Sequence, residues 1–535
     1  MPPPSRTHFP MVNARNTLLL LVSLLCALPQ AAAAPEITVA LAPSITSPVG
    51  PGRLVVFLIA SEAALGERTV PIDGPFWESE QPLFGVDVPS MKSDAPVAID
   101  DRADSYPGKP SALKPGRYRA QARLVSHRQD SNWKRSAGNL FSDPQDLVID
   151  ASGNGSVRLE LKHETQPPKR EPTEGVEWFE IPSDLLTSFR HEPTRLRAGV
   201  VLPLEYDPAR KYAAIYRVPG FGGDDLDATH AARERAESTG AARDLAKETF
   251  LIVLNPEGPN GHTLFADSAN NGPCSRALTE ELIPALEKRF PLVAFPSRRI
   301  LQGHSSGGWS TLWLALTKPD VFGATWSTSP DPVDFRKFQT VNIYDDTNFY
   351  SGGTPASDRP SFREFDRATG KQREVMTIRR EARQEDVLGP NNTSGQQWDS
   401  WFAVFGPRDQ AGNPAALFDP VTGTIDPDIA SKYRAYDIAS LVRADPARYL
   451  PLLRQNVHLA VGEADSFYLN EAVALLRADA QRLETSTPEL AKPVKAGGSI
   501  KIIPGLDHST IFRSAEVRAT PAEMLEYLRT HAPSP

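Results

Sequence analysis

Residues Arg298 to Gly308 read RRILQGHSSGG, and no other stretch limits the fold so strongly. A short apolar strand runs into Gly303-x-Ser305-x-Gly307, and residues of helical composition follow from Gly308 to Thr317. A serine held on a sharp strand-to-helix turn has backbone close on both sides. Only glycine then fits two residues before it and two after it without a Cβ clash. Such a turn exposes the hydroxyl of Ser305 as a candidate nucleophile. It also sets the N–H of Ser306 at a helix N-terminus, where a developing oxyanion can be held. The five-residue pattern alone arises by chance in long chains; the strand before it and the helix after it give it weight.

The surrounding residues alternate strand and helix. Arg195 to Pro203, Ala213 to Val218 and Thr249 to Leu254 (TFLIVL) read as strands. The last is continuously apolar, as a sheet covered on both faces requires. Ala231 to Lys247 has helical composition, and Thr279 to Phe290 reads as an amphipathic helix with a proline inside it. A strand at Phe322 to Ser327 follows the serine turn. Residues 331–455, rich in Pro, Gly, Asp and Arg, then interrupt the rhythm. It resumes with a strand at Asn456 to Val461, a helix at Leu469 to Leu483, a strand at Ile500 to Ile503 and a helix at Pro521 to Thr530. This is the pattern of a doubly wound, mostly parallel α/β sheet. Upstream, Arg53 to Ala60, Tyr118 to Val125 and Gly155 to Leu161 are strand-like runs between Pro, Gly and Asp clusters, which predicts a β-sandwich-like domain. The expected organisation is a leader at 1–34, a β-domain at 35–165, a linker at 166–194, and an α/β domain at 195–535 carrying the 331–455 insertion.

A nucleophilic serine needs a base and an orienting acid, which in such a fold follow it in the order Ser, acid, His. His508 lies straight after the last core strand in IPGLDHS, and order and position both suit a general base. The acid candidates are Asp465 and Glu463 in VGEAD. Asp465 is favoured because it lies nearer the turn into the next helix, where a carboxylate can reach across to the imidazole. His304, beside the serine, points away and reads as packing. The loop after Tyr216 to Val218, Pro219-Gly-Phe-Gly-Gly, can bring backbone N–H groups close to a substrate oxygen, with Phe221 and Gly222 as the best donors. In the insertion, Trp398 and Trp401 are candidates for a substrate pocket, and serve equally well as the core of a cap.

Taken together, residues 219–223, the helix with Glu281-Leu282-Ile283-Pro284, Gly303 to Gly308, Gly462 to Asp465 and Gly505 to His508 resemble one esterase branch of the α/β-hydrolase superfamily. That branch includes feruloyl and acetyl-xylan esterases, ferric-siderophore esterases, S-formylglutathione hydrolases and mycolyltransferases. The resemblance runs in motif order from about residue 195 to 530, the serine turn being its one individually specific motif. It implies a metal-free Ser-His-Asp mechanism on carboxylic esters, with no cofactor. Two departures stand out: Pro219-Gly220 occupies a place where the family often has His-Gly, and the span from Ser305 to Asp465 is long. Acyl transfer to a sugar or lipid hydroxyl, or cleavage of a siderophore lactone, would use the same residues. A non-catalytic protein that docks on a glycan or cell surface is the rival from another class.

Composition closes other routes. The net charge is −8 over 535 residues, with no basic run, so nothing marks a nucleic-acid partner or a stable membrane anchor. Residues 1–34 read as a secretory leader: Arg15, an apolar run from Leu18 to Leu28, then small residues from Ala31 to Ala34. The expected location is periplasmic or secreted, and the expected partner is a small-molecule or polysaccharide-linked ester. Of two cysteines, Cys26 falls in the leader and Cys274 is left alone, which excludes an internal disulfide or a cysteine-based metal site in the mature chain.

Overall fold

A computed structural model describes residues 34–66, 68–128, 135–353, 357–490 and 497–531. The expected leader thus falls outside the described residues but for Ala34.

The N-terminal third forms a nine-stranded hydrogen-bonded sheet. Its last strand, Ser156–Glu164, alternates exposed and buried positions, the mark of one wet face and one core face. The sheet doubles back on itself: Ile37, Val39, Leu159 and Leu161 share one core with Leu54, Val56, Phe84 and Leu124. The expected sandwich-like domain is therefore present. Strand Gly52–Ala60 departs from simple alternation because both of its faces are covered. Its outer residues Val55 and Phe57, with Tyr106 and Val125, pack against Val387 and Leu388 of the later insertion.

The second sheet has eight strands: β1 (Val176–Pro182), β2 (Arg195–Val201), β3 (Ala213–Val218), β4 (Thr249–Leu254), β5 (Arg299–His304), β6 (Ala324–Thr328), β7 (Val457–Gly462) and β8 (Ser499–Ile503). Their order is β1-β2-β4-β3-β5-β6-β7-β8. β1 and β2 form an antiparallel edge, and the pairs from β4 onward are parallel. Helices cover both faces. On one lie α1 (Ala228–Glu237), α2 (Gly240–Glu248) and the C-terminal α7 (Thr520–Thr530), and α3 (Ser306–Thr317) packs on the other. β4 is buried at every position, as its unbroken apolar sequence requires. This is the α/β-hydrolase arrangement.

Local differences from the sequence reading have physical causes. The expected linker at 166–194 contains β1 and a helix at Asp184–Arg190, so the sheet begins before residue 195. The prolines and charges of 163–174 end just short of β1, and the half-buried edge strand VEWFEIP carries little apolar signal. The helix expected at 231–247 is two helices, broken at Ser238 and Thr239, and Gly240, which opens the second, adopts φ +55°. At 277–289 a π-turn precedes the final α-turns, and this widening accommodates Pro284, which has no N–H to donate.

The 331–455 segment folds against the main core. It holds a hairpin (Pro360–Asp366 with Lys371–Thr377), α4 (Ile378–Leu388), α5 (Gln397–Phe405) and further helices that lead into β7. α5 buries Trp398, Trp401, Phe402 and Phe405 in one cluster with Trp309 and Leu312 of α3. α4 also anchors the β-domain. Buried Arg53 donates to the carbonyl of Val387 at 3.0 Å, and Arg380 pairs with Glu80 at 2.6 Å. Helix α6 (Leu469–Ser486) follows β7.

Candidate active site

The turn between β5 and α3 is as tight as its glycines imply. Ser305 sits at φ +57° and ψ −126°, a strained conformation for a residue with a side chain. A Cβ on Gly303 would lie 2.1 Å from the carbonyl oxygen of Gly307, and one on Gly307 would lie 2.0 Å from that of Val218. Ser306 opens α3, so its N–H has no acceptor inside the helix.

Beneath the turn, the Ser306 hydroxyl donates to Asp331 at 2.7 Å, and the Trp401 indole N–H donates to the same carboxylate oxygen at 2.7 Å. Burial pushes the Asp331 carboxyl up to about 6, against those two hydrogen bonds. Asp331 thus ties the first residue of α3 to the insertion. The sequence held no signal for this role.

His508 follows β8, and its Nδ1 lies 2.9 Å from Asp465 Oδ2. Asp465 is fully buried and also accepts the N–H of Phe467 at 3.0 Å. Burial disfavours the Asp465 charge, but the His508 charge and hydrogen bond outweigh it and hold the carboxyl below its usual value. For His508 burial acts downward too, and Asp465 outweighs it, so the imidazole rises above its ordinary 6.5. Glu463 is exposed and accepts a hydrogen bond from the Gly505 N–H at 3.3 Å. Of the two acid candidates, the one that faces the imidazole is therefore Asp465. Arg363, from the insertion hairpin, fixes that loop by donating to the Asp465 carbonyl at 3.0 Å.

His304 does not point away, as the sequence reading had it, but lines the same cavity as Ser305. Its ring lies 4.4 Å from that of His508 and 4.8 Å from Phe512, and burial depresses it to about 3, so it is neutral. A second histidine went unnoticed. His262 is fully buried, with Nε2 3.0 Å from the Pro219 carbonyl oxygen, while its Nδ1 accepts the Leu264 N–H at 3.1 Å. Burial holds it neutral, at about 4. With Nδ1 accepting, Nε2 carries the proton and donates it to Pro219, pinning the start of the 219–223 loop. That loop passes beside the serine: a Cβ on Gly220 would lie 3.3 Å from Ser305 Cβ. Gly222 adopts φ +80°.

Ser305, His508, Gly220 and Phe221 share a cavity of about 340 Å³. Three parts of the chain complete it: Pro75 and Trp77 of the β-domain, Phe467 after β7, and Glu381, Gln384, Glu385, Gln396 and Gln397 of the insertion. The Phe467 ring lies 4.9 Å from His508 and 6.2 Å from Trp77. Trp398 and Trp401 do not supply the wall that the sequence reading offered. They are 1% and 2% exposed, and sit in the aromatic core around Phe338. α5 is buried at every position from Trp398 to Phe405, so its tryptophans lie in the core and the glutamines at its start meet the cavity. The wall sets polar side chains into a mainly apolar surface, and burial disfavours the charged form of its two acids. Burial raises Glu381 to about 7 and pushes up Glu385, which accepts the N–H groups of Trp398 and Asp399. Among the described residues no lysine or arginine lines this cavity. Among the described residues no cluster of three or more His, Cys, Asp or Glu is gathered as for a metal ion.

Comparison with known proteins gives a family. The family model described as "Putative esterase" matches residues 192–515. A search of curated proteins finds no match. Among solved structures, the chain is similar to a ferulic acid esterase (13% identity, 66% of this chain and 98% of the other, TM-score 0.37). It is also similar to FphF, a fluorophosphonate-binding serine hydrolase of Staphylococcus aureus (14%, 65% and 98%, 0.34), and to an S-formylglutathione hydrolase from Agrobacterium tumefaciens (15%, 67% and 97%, 0.35). With a family model spanning more than half of its length, the chain belongs to this esterase family of α/β-hydrolases.

Proposed function

We propose that the protein is an exported serine esterase that works through an acyl-enzyme on Ser305. The observation that carries this reading is the strained φ of Ser305 at the floor of a cavity that also holds His508, itself hydrogen-bonded to buried Asp465. In this mechanism His508 Nε2 takes the proton of the Ser305 hydroxyl as the oxygen attacks the ester carbonyl carbon. Asp465 holds the opposite ring nitrogen as the donor and stabilises the imidazolium. The N–H groups of Ser306 and of Phe221 or Gly222 hold the oxyanion. His508 returns its proton to the departing alcohol, then activates a water that releases the acid. The leader-like residues 1–34 support export.

A wall that holds Glu381, Glu385, Gln384 and Gln397, with no lysine or arginine among its described residues, favours a neutral ester over an anionic one. A screen of the purified chain on short-chain aryl esters, feruloyl esters and siderophore lactones tests the reading. Turnover of at least one class is expected, with neutral esters ahead of carboxylate-bearing ones. No turnover of any ester would count against an esterase, and a preference for anionic esters would count against the role given to the wall.

A further inference from the structure

A strand buried on both faces should be apolar, and two neighbouring strands break that rule in one row, beside a tryptophan on the third. Arg217 of β3 pairs in register with Gln302 of β5, and Gln302 pairs with Trp326 of β6. These three residues line a cavity of about 560 Å³ between the sheet and helices α1, α2 and α7. The rest of its lining is mainly apolar, with Leu245, Leu251 and Met524 facing Trp326.

Arg217 donates Nε to Gln302 Oε1 at 3.0 Å and makes no ion pair among the described residues. Arg235 also borders the cavity, but its guanidinium is spent on the Thr249 hydroxyl and on the carbonyls of Thr249 and Ala246. The acids near Arg217 are Glu234 and Asp227, and neither forms an ion pair with it among the described residues. Desolvation lowers Arg217, yet an arginine stays charged at neutral pH. Arg217 is half-buried, and an entering anion would give its remaining N–H groups a charged acceptor.

We propose that this cavity is a second binding site, for an amphiphilic monocarboxylate. Its carboxylate sits on Arg217 and its alkyl chain lies along Leu245, Trp326 and Met524. One free guanidinium matches one carboxylate, while Glu234 at the margin opposes a more highly charged head. Gly220 and His304 also border the catalytic cavity, so an occupant here lies against the back of the Ser305 turn.

The test uses the full chain carrying Ser305→Ala, titrated with 11-bromoundecanoate while tryptophan fluorescence is read, since bromine quenches only at short range. Saturable quenching is expected. It should be at least about tenfold weaker for 11-bromoundecan-1-ol and in Arg217→Gln, the scale of losing a charged hydrogen bond. Trp326→Phe should remove most of the quenching. The acid-to-alcohol comparison reads the guanidinium without altering it, should Arg217→Gln fail to fold. Equal binding of acid and alcohol would overturn the proposal. So would the absence of saturable quenching. Quenching that survives Trp326→Phe and disappears in Trp77→Phe would place the ligand in the catalytic cavity and overturn it as well.

Discussion

Gly307→Ala tests how far the serine turn depends on backbone contact. The added methyl would lie 2.0 Å from the carbonyl oxygen of Val218, and real Cβ contacts essentially never fall below 3.0 Å. The turn and β3 must therefore part by at least 1.0 Å. Neither side gives easily, because β3 is hydrogen-bonded to β4 and β5 along its length. The same movement shifts Ser305 against His508 and against the 219–223 loop. A displacement of about 1 Å at reacting groups costs on the order of 10²-fold in rate. Overpacking of this kind costs about 1–3 kcal/mol of stability. The assay is kcat/KM on an aryl acetate, alongside the denaturation midpoint. Gly370→Ala is the control. Gly370 adopts φ +68° in a hairpin turn with nothing within 4 Å of the added methyl, so it should strain the backbone and leave activity intact. If Gly307→Ala retains activity within about threefold, a displacement of that size does not matter, and the account of the turn is wrong.

Asp465→Asn should lower kcat by roughly three to four orders of magnitude, the scale of losing the charge that holds the imidazole tautomer, whereas Glu463→Gln should change it only several-fold. The opposite ranking in the same assay would move the acid to Glu463. Because Asp465 raises His508 above 6.5 and the base must be neutral, kcat/KM should fall on acidification through a midpoint above 6.5. A pH profile whose acid limb lies below 6.5 would contradict that coupling. Trp398→Ala should lower stability by about 3–5 kcal/mol, with any loss of kcat/KM similar for acetate and bulky esters. A selective rise in KM for bulky esters would return this residue to the pocket.

What could be read from the sequence was local. The Gly303 and Gly307 spacing, the strand before them and the apolar β4 each state their constraint within a few residues, and order along the chain pointed to His508 and Asp465, which the fold brings to 2.9 Å. The rest depends on contacts between distant segments. Trp77 meets the catalytic cavity only because the β-domain docks on α4, through Arg53 and Val387. Asp331 is one acid in a polar-looking insertion until Ser306 and Trp401 converge on it. His262 pins Pro219 across two loops with no motif between them. Trp398 and Trp401 had the composition of either wall or core, and the burial of α5 from Trp398 to Phe405 decided between them.

The central claim is that Ser305 is the nucleophile, and covalent labelling tests it most directly. The chain is treated with a fluorophosphonate, digested, and the modified residue located by mass spectrometry. The account predicts a single adduct on Ser305, no labelling of a folded Ser305→Ala protein, and labelling slowed in Asp465→Asn. Labelling of Ser305→Ala at the wild-type rate, or an adduct on another residue, would contradict it.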